Sequence, residues 1–198
     1  MYVAEATGAA LDVYASPTAT EPERHLANPI ATGGPLVLLV EADEGGSRLQ
    51  VQLPIRPNGS KGWVDRDDVR LRTNPYRIEV RVGDRTLRVL ERGNEIASTP
   101  VAVGAPDTPT PLGTFFLTEL LIQPNPGGAY GPFAYGLSSH SNVLTDFNGG
   151  SGQVGMHGTN DPSSIGRAVS HGCIRLPNDV IRKVRAYLPL GTPIDVLA

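Results

Sequence analysis

The chain has 198 residues, with 17 basic and 20 acidic side chains and a formal net charge of −3. This balance excludes the basic footprint of a nucleic-acid binder, and no apolar run approaches the length needed to span a bilayer. Glycine (23) and proline (18) are frequent, so many turns and short strands are expected, and a length just above the usual one-domain range suggests two small domains.

Residues 1–74 hold 7 basic and 10 acidic side chains and carry short alternating runs. These are Leu11-Asp12-Val13-Tyr14, Pro35 to Val40, Arg48 to Leu53 and Gly62-Trp63-Val64, set between clusters of Gly, Pro, Asn and Ser. A period of two predicts an all-β unit. The order of Val13-Tyr14-Ala15-Ser16-Pro17, an apolar strand, and Asn58-Gly59 ahead of Gly62-Trp63-Val64 resembles bacterial SH3-like domains. That resemblance implies a small β-barrel over residues 1–74. Trp63, the lone tryptophan, is expected in its core, with a groove for a peptide or glycan as the alternative. The plainest role for the whole unit is a spacer.

After the break at Arg72-Thr73-Asn74-Pro75, residues 75–198 hold 10 basic and 10 acidic side chains. Strands are predicted from Tyr76 through Phe116, with turns at Gly83-Asp84, Gly93-Asn94 and Pro106-Asp107, which suggests a β-sandwich of antiparallel hairpins. From Ile122 to Gly136 the chain is too rich in Gly and Pro for an element interior and should form a long surface loop. Its Tyr130, Phe133 and Tyr135 either lie over a cleft or anchor the loop to the sheet. Helical spacing is clear at Asn178 to Leu188: Asn178 can cap, Val180, Ile181, Val184 and Leu188 share one face, and Gly191 marks the end.

The chemistry concentrates in two stretches, His157-Gly158-Thr159-Asn160 and Ser170-His171-Gly172-Cys173-Ile174-Arg175-Leu176. Cys173 is the only cysteine, so no intramolecular disulfide can form. A cysteine alone is usually a small buried hydrophobe, but a catalytic one needs an imidazole in reach to hold its pKa down and to move a proton. Two histidines are here. Gly172 lets the backbone approach a substrate carbonyl, with the amides of Gly172 and Cys173 facing a developing oxyanion. Arg175 follows Cys173 by two, so on a strand both face the cleft while Ile174 and Leu176 face the core. A guanidinium there suits a substrate carboxylate. Asp161-Pro162 reads as a turn or a cap opening a short helix rather than a third catalytic member. A zinc site from His140, His157, His171 and Cys173 lacks the HxxxH or CxxC spacing such sites use, and no metal is expected.

His157-Gly158-Thr159 followed sixteen positions after that histidine by Cys173 in its Ser170 to Leu176 setting resembles the signature of the L,D-transpeptidases, the YkuD-type domain. The likeness extends to Pro100-Val101-Ala102-Val103-Gly104, to Thr108 through Phe115 and to Gly191 through Val196, and is assigned to residues 75–198. It implies a mainly β fold, an SH3-like β-barrel followed by an L,D-transpeptidase-type β-sandwich with few short helices. It implies Cys173 as nucleophile, His157 as general base and the Gly158 carbonyl as the group fixing its tautomer, with His171 and Gly172 near the oxyanion. Arg175, Ser170 and Thr159 are candidate substrate contacts, and Tyr130, Phe133 and Tyr135 belong to a lid; family members carry Asn or Arg at the position of Arg175.

The implied reaction is peptidoglycan cross-linking, part of cell-wall biogenesis and cell shape. The cysteine attacks the L-centred residue of a stem tetrapeptide, D-alanine leaves, and an amine of a second stem resolves the thioester. No cofactor is implied. Peptidoglycan stem peptides are the expected partners and β-lactams of the carbapenem class the expected inhibitors. Because that substrate lies outside the cytoplasmic membrane, an extracytoplasmic location is expected, with an export signal or anchor ahead of this sequence. The alternatives are an L,D-carboxypeptidase on the same scaffold, in which water replaces the amine, and a non-enzymatic cell-wall-binding protein.

Overall fold

The computed structural model describes residues 1–146 and 150–198. Seven strands come first: β1 (Tyr2–Ala6), β2 (Ala10–Val13), β3 (Arg24–Ala27), β4 (Val37–Ala42), β5 (Arg48–Gln52), β6 (Lys61–Asp65) and β7 (Val69–Thr73). Five form an antiparallel sheet in the order β6-β5-β4-β1-β7, and β2 and β3 form a separate hairpin. Alternation drives one face of each strand inward, so that Leu11, Val13, Leu38, Leu49, Val51 and Val64 share one core.

Trp63 departs from the core position expected for it. Gly62 and Val64 take the inward positions of β6, and Trp63 between them is only partly buried and lies outside the core cluster. Gly62 is inward because β2 crosses close above it: a Cβ there would overlap Val13. The Trp63 backbone instead bridges to Tyr14, with N–H···O distances of 2.8 and 2.9 Å.

The rest of the chain supplies β8 (Tyr76–Arg81), β9 (Thr86–Glu91), β10 (Asn94–Pro100), β11 (Val103–Gly104), β12 (Gly113–Ile122), β13 (Phe133–His140), β14 (Gln153–His157), β15 (Ala168–Ser170), β16 (Ile174–Arg175), α1 (Asn178–Arg185) and β17 (Pro193–Leu197). Eight of the strands form one sheet in the order β10-β9-β8-β17-β12-β13-β14-β16. The fold is mainly β. Three pairings are parallel, β8 with β17 and β14 with β16 in this sheet and β11 with β15 beside it, which successive hairpins do not produce. Val89 near one edge and Ile174 at the other lie in the same core, so the sheet curls on itself. The β9–β10 reversal falls one residue earlier than expected, at Arg92 (φ 50°) and Gly93 (φ 84°), because this tight hairpin turn takes two left-handed residues in succession.

Helix α1 stops at Arg185, and the chain continues in turns through Leu188, whose amide still reaches the Val184 carbonyl at 2.9 Å. Ile181, Val184 and Leu188 are buried against the sheet. Asn178 makes no side-chain cap; its Oδ1 accepts instead from the Thr159 amide at 2.9 Å.

The two cores touch. Strand β12 is buried on both faces, with Phe115 and Leu117 in the second core and Phe116 in the first. Gly191 packs so closely under Val3 and Val37 that a Cβ would overlap both. Asn74, at the break between the two sequence halves, is buried and donates to Thr192 Oγ1 at 3.0 Å.

Candidate active site

Strand β14 carries Val154 and Met156 into the core and turns Gln153, Gly155 and His157 to the opposite face. Strand β16 runs parallel beside it with His157 in register with Arg175, and Ile174 and Leu176 are fully buried. Cys173, one residue ahead of β16, therefore meets the exposed face of β14. The Gly155 amide donates to Cys173 Sγ at 3.3 Å. A Cβ on Gly155 would lie 3.7 Å from His157 Cδ2 and 3.8 Å from Cys173 Sγ, so the missing side chain leaves the space between imidazole and thiol open.

The His157 Nδ1 donates to the Gly158 carbonyl at 2.5 Å. This hydrogen bond fixes the Nδ1–H tautomer and leaves Nε2 as the acceptor. Burial is the main cause that pushes the His157 pKa down to about 4, with the Arg175 charge adding to it and the Gly158 carbonyl opposing it. Burial also raises the Cys173 thiol above its ordinary value, opposed by the Gly155 amide and Arg175. The sequence argument expected an imidazole holding the thiol pKa down. The geometry gives a neutral imidazole beside a neutral thiol, because both groups lose water and, among the described residues, no carboxylate is bonded to the ring.

Gly158 itself is boxed in by Asn178, Pro132 and Gly131, and a Cβ there would overlap the Asn178 carboxamide. The approach of Gly131 and Pro132 brings the β12–β13 loop over the site. Tyr130 packs its ring edge-on to His157, with centroids 4.8 Å apart, while remaining 41% exposed. The other two aromatic candidates differ from it. Strand β13 begins at Phe133, so alternation turns both rings toward the core, although Tyr135 still lines the first cavity beside Cys173. Tyr135 is 1% exposed with its hydroxyl donating to the Leu188 carbonyl, and Phe133 packs on the core with Arg185 5.0 Å from its ring centroid.

The turn from Ser170 to Cys173 is internally bonded. Ser170 Oγ accepts from the Gly172 amide at 3.1 Å and donates to the Cys173 carbonyl at 2.6 Å. Gly172 takes φ +115°, and its carbonyl accepts from Thr110 Oγ1 at 2.9 Å. The Gly172 amide, expected to face an oxyanion, is thus already occupied. Thr159, expected to touch substrate, is buried and holds a turn, its Oγ1 accepting from the Asp161 amide at 3.0 Å. Asp161 is exposed and accepts from Ser163 at the start of the 3-10 turn Pro162–Ser164.

Three cavities converge on Cys173. The first, about 280 Å³, is lined by Glu119, Tyr130, Gln153, Gly155 and His157 among others. The second, about 210 Å³, is lined by Ala129, Tyr130, His157, Ser170, His171 and Arg175. The third is a small recess of about 20 Å³ between His171 and Ser141, Leu144 and Gly152. Tyr130, His157 and Cys173 form the wall shared by the first two. Among the described residues no group of three or more His, Cys, Asp or Glu side chains is placed to hold a metal, and His140 lies on a different cavity.

Sequence reasoning missed Gly155, Gln153 and Glu119. The first two carried a signal, since they sit two and four residues before His157 on a strand and so share its face. Glu119 carried none, because the pairing of β12 with β13 brings it to the site.

Residues 75–196 match the sequence pattern of the L,D-transpeptidase catalytic domain called YkuD. The YkuD protein of Bacillus licheniformis is 41% identical over 124 residues, 63% of this chain and 67% of that protein, and the YkuD protein of Bacillus subtilis is 36% identical over the same length. Among solved structures, Bd1075 of Bdellovibrio bacteriovorus is 34% identical with a TM-score of 0.50; the match covers 63% of this chain and 48% of that one. This chain thus spans about half of that relative. An L,D-transpeptidase of Mycobacterium tuberculosis H37Rv, at 14% identity and a TM-score of 0.51 over 81% of this chain and 93% of its own, shares the fold. Since the matched stretch runs through both histidine motifs and more than half the chain, this protein belongs to the YkuD family of L,D-transpeptidase catalytic domains.

Proposed function

We propose that the chain is a peptidoglycan L,D-transpeptidase working outside the cytoplasmic membrane, and that it forms cross-links through a Cys173 thioester. His157 Nε2 takes the thiol proton as Sγ attacks the carbonyl of the L-centred donor residue. The carbonyl electrons move onto oxygen, where the Cys173 amide and the His171 side chain, which lines the second cavity with Cys173, are the proposed donors. The oxyanion then collapses, the bond to D-alanine breaks, and the proton held on Nε2 passes to the leaving amine. In the second half the acceptor amine attacks the thioester, His157 removes its proton, and the thiol is restored. The exchanged bond supplies the energy, so no cofactor is required.

The observation that carries this reading is the Nδ1 to Gly158 hydrogen bond, which leaves an unprotonated Nε2 on a ring that remains neutral down to a pH of about 4. A base that is neutral at working pH can accept the thiol proton during attack, without a preformed thiolate. Arg175 supports the assignment of a substrate carboxylate to the second cavity, since it lines that cavity and its Nε has no acceptor among the described residues. Carbapenem-class β-lactams are expected to acylate Cys173 by the same attack. The role of residues 1–74 as an SH3-like domain is part of the same proposal.

The test is mass spectrometry of a purified disaccharide-tetrapeptide incubated with the protein and with Cys173→Ala. Dimers lacking one D-alanine, absent with the variant, are expected. Tripeptide monomers alone would instead identify an L,D-carboxypeptidase, and an unchanged substrate in both tubes, with the thiol reduced, would point to a wall-binding protein.

A further inference from the structure

The cavity in front of Cys173 does not end at β12. Glu119 and Gln153 line it, and the same two side chains line a neighbouring cleft of about 290 Å³ between the two cores. One wall of this cleft is Ile30, Ala31, Thr32 and Pro54 from the N-terminal part, and the other includes Thr118, His140 and Ser151. Among the described residues Glu119 is the only Asp, Glu, Lys or Arg lining either space. On the far side of the nucleophile Arg175 is the only such residue lining the second cavity among the described residues. Cys173 therefore stands between a carboxylate and a guanidinium.

The Glu119 carboxylate is held in place from both parts of the molecule. Thr32 Oγ1 donates to Glu119 Oε2 at 2.6 Å, which ties the N-terminal loop to β12. Glu119 Oε1 occupies the space over Gly136, where a Cβ would sit 2.5 Å from it and 2.8 Å from Gln153 Nε2. Among the described residues no Lys, Arg or His forms an ion pair with Glu119, although ion pairs are common elsewhere on the sheet. A positioned carboxylate with one oxygen bonded, no cationic partner and a cavity on each side is built to receive a cationic donor.

We propose that Glu119 recognises a primary ammonium group of the substrate, the side-chain amine of a diamino acid in a stem peptide. Thr32 acts as its positioning residue, so the N-terminal part contributes to substrate choice. The assignment rests on the transpeptidase reading above. The ammonium belongs either to the donor stem, as the far end of its diamino side chain, or to the acceptor stem.

Glu119→Gln keeps the shape and the hydrogen bond from Thr32 and removes the charge. The full chain and this variant would be given a tetrapeptide donor with its side-chain amine free or N-acetylated, with D-alanine release and the dimer-to-tripeptide ratio as readouts. For a donor ammonium, the variant raises KM about tenfold for the free-amine donor and leaves the acetylated donor unchanged, as expected for one lost charge-assisted contact. For an acceptor ammonium, D-alanine release is unchanged and the dimer-to-tripeptide ratio falls about tenfold. Thr32→Val keeps the carboxylate and should give the same pattern at smaller amplitude. Equal losses for free and acetylated donors, or no change in either readout, would overturn the proposal.

Acylation of Cys173 by faropenem, an anion that carries no amine, checks that the variant is folded with a reactive thiol, and should be no slower once the carboxylate of the shared cavity is gone. A wild-type chain that faropenem acylates but that leaves every tetrapeptide intact would sink the transpeptidase reading itself, and this assignment with it.

Discussion

His157 and Cys173 rest as a neutral pair, and this has a consequence for stability as well as chemistry. An exposed histidine titrates near 6.5, whereas the His157 ring holds off protonation until about 4. Below the unfolded value the unfolded chain binds a proton that the folded chain refuses, so folding stability is full above pH 6.5 and is lost as pH falls toward 4. His140, buried and facing the charge of Arg56, is shifted in the same direction and adds to the slope. The expected loss is on the order of 1–3 kcal/mol across this window. Urea midpoints at pH 7.5 and pH 4.5 measure it, and His157→Asn should remove much of the difference. A midpoint difference the same in both proteins would mean that the ring is charged, or wet, in the native state. Residues of this kind are readable in sequence as motif members, since the His157, Gly158 and Cys173 positions follow from the two short stretches. Their protonation state is not, because it depends on how many atoms from distant strands exclude water.

At the scale of elements, alternation made the strands legible wherever one face is buried and the other wet, as in β5, β8 and β9. It failed where both faces are covered. Strand β12 runs Phe115-Phe116-Leu117 with all three buried, and no local pattern tells that its two faces serve two different cores. The parallel pairing of β14 with β16 was equally hidden, because register across a crossover is chosen by partners far along the chain. Asn178 is the clearest case of a correct element with a misread residue. The helix starts there, but the carboxamide leaves the helix end to hold the Thr159 amide behind the His157-Gly158 corner. Asn178→Ala should leave that buried donor unpaired, at a cost of roughly 1–3 kcal/mol. For a chain of this size the corresponding fall in Tm is roughly 2–4 °C per kcal/mol. Asn178→Asp retains the acceptor and places a negative charge at the helix start, so it should melt near the parent. Equal melting of the Ala and Asp variants would show that packing, not the hydrogen bond, is what Asn178 contributes.

For the whole molecule, the N-terminal part reaches one wall of the active site through the loop between β5 and β6. Arg56 donates to three carbonyls on two arms of the segment after β13: Ser141 at 2.7 Å, Leu144 at 3.1 Å and Ser151 at 2.9 Å. Asn58 makes a reciprocal pair with His140, donating to its carbonyl at 2.7 Å and accepting from its amide at 2.8 Å. The two arms are joined by the Ser141 amide donating to the Gly152 carbonyl at 2.8 Å. Ser141, Leu144 and Gly152 line the small recess against His171 and Cys173, so a loosened staple loosens that recess. A guanidinium can serve three acceptors at once because its donors are fixed in a plane, and a lysine cannot match that geometry. Arg56→Ala is therefore expected to speed hydrogen exchange of the Ser141 amide by roughly tenfold, the equivalent of about 1.4 kcal/mol in local opening, with Arg56→Lys in between. Alkylation of Cys173 by a small neutral reagent should quicken with it, as the recess opens to solvent. Unaltered exchange at Ser141 would mean that the segment holds its place without the N-terminal part, and the contact between the two cores would then be adhesion alone.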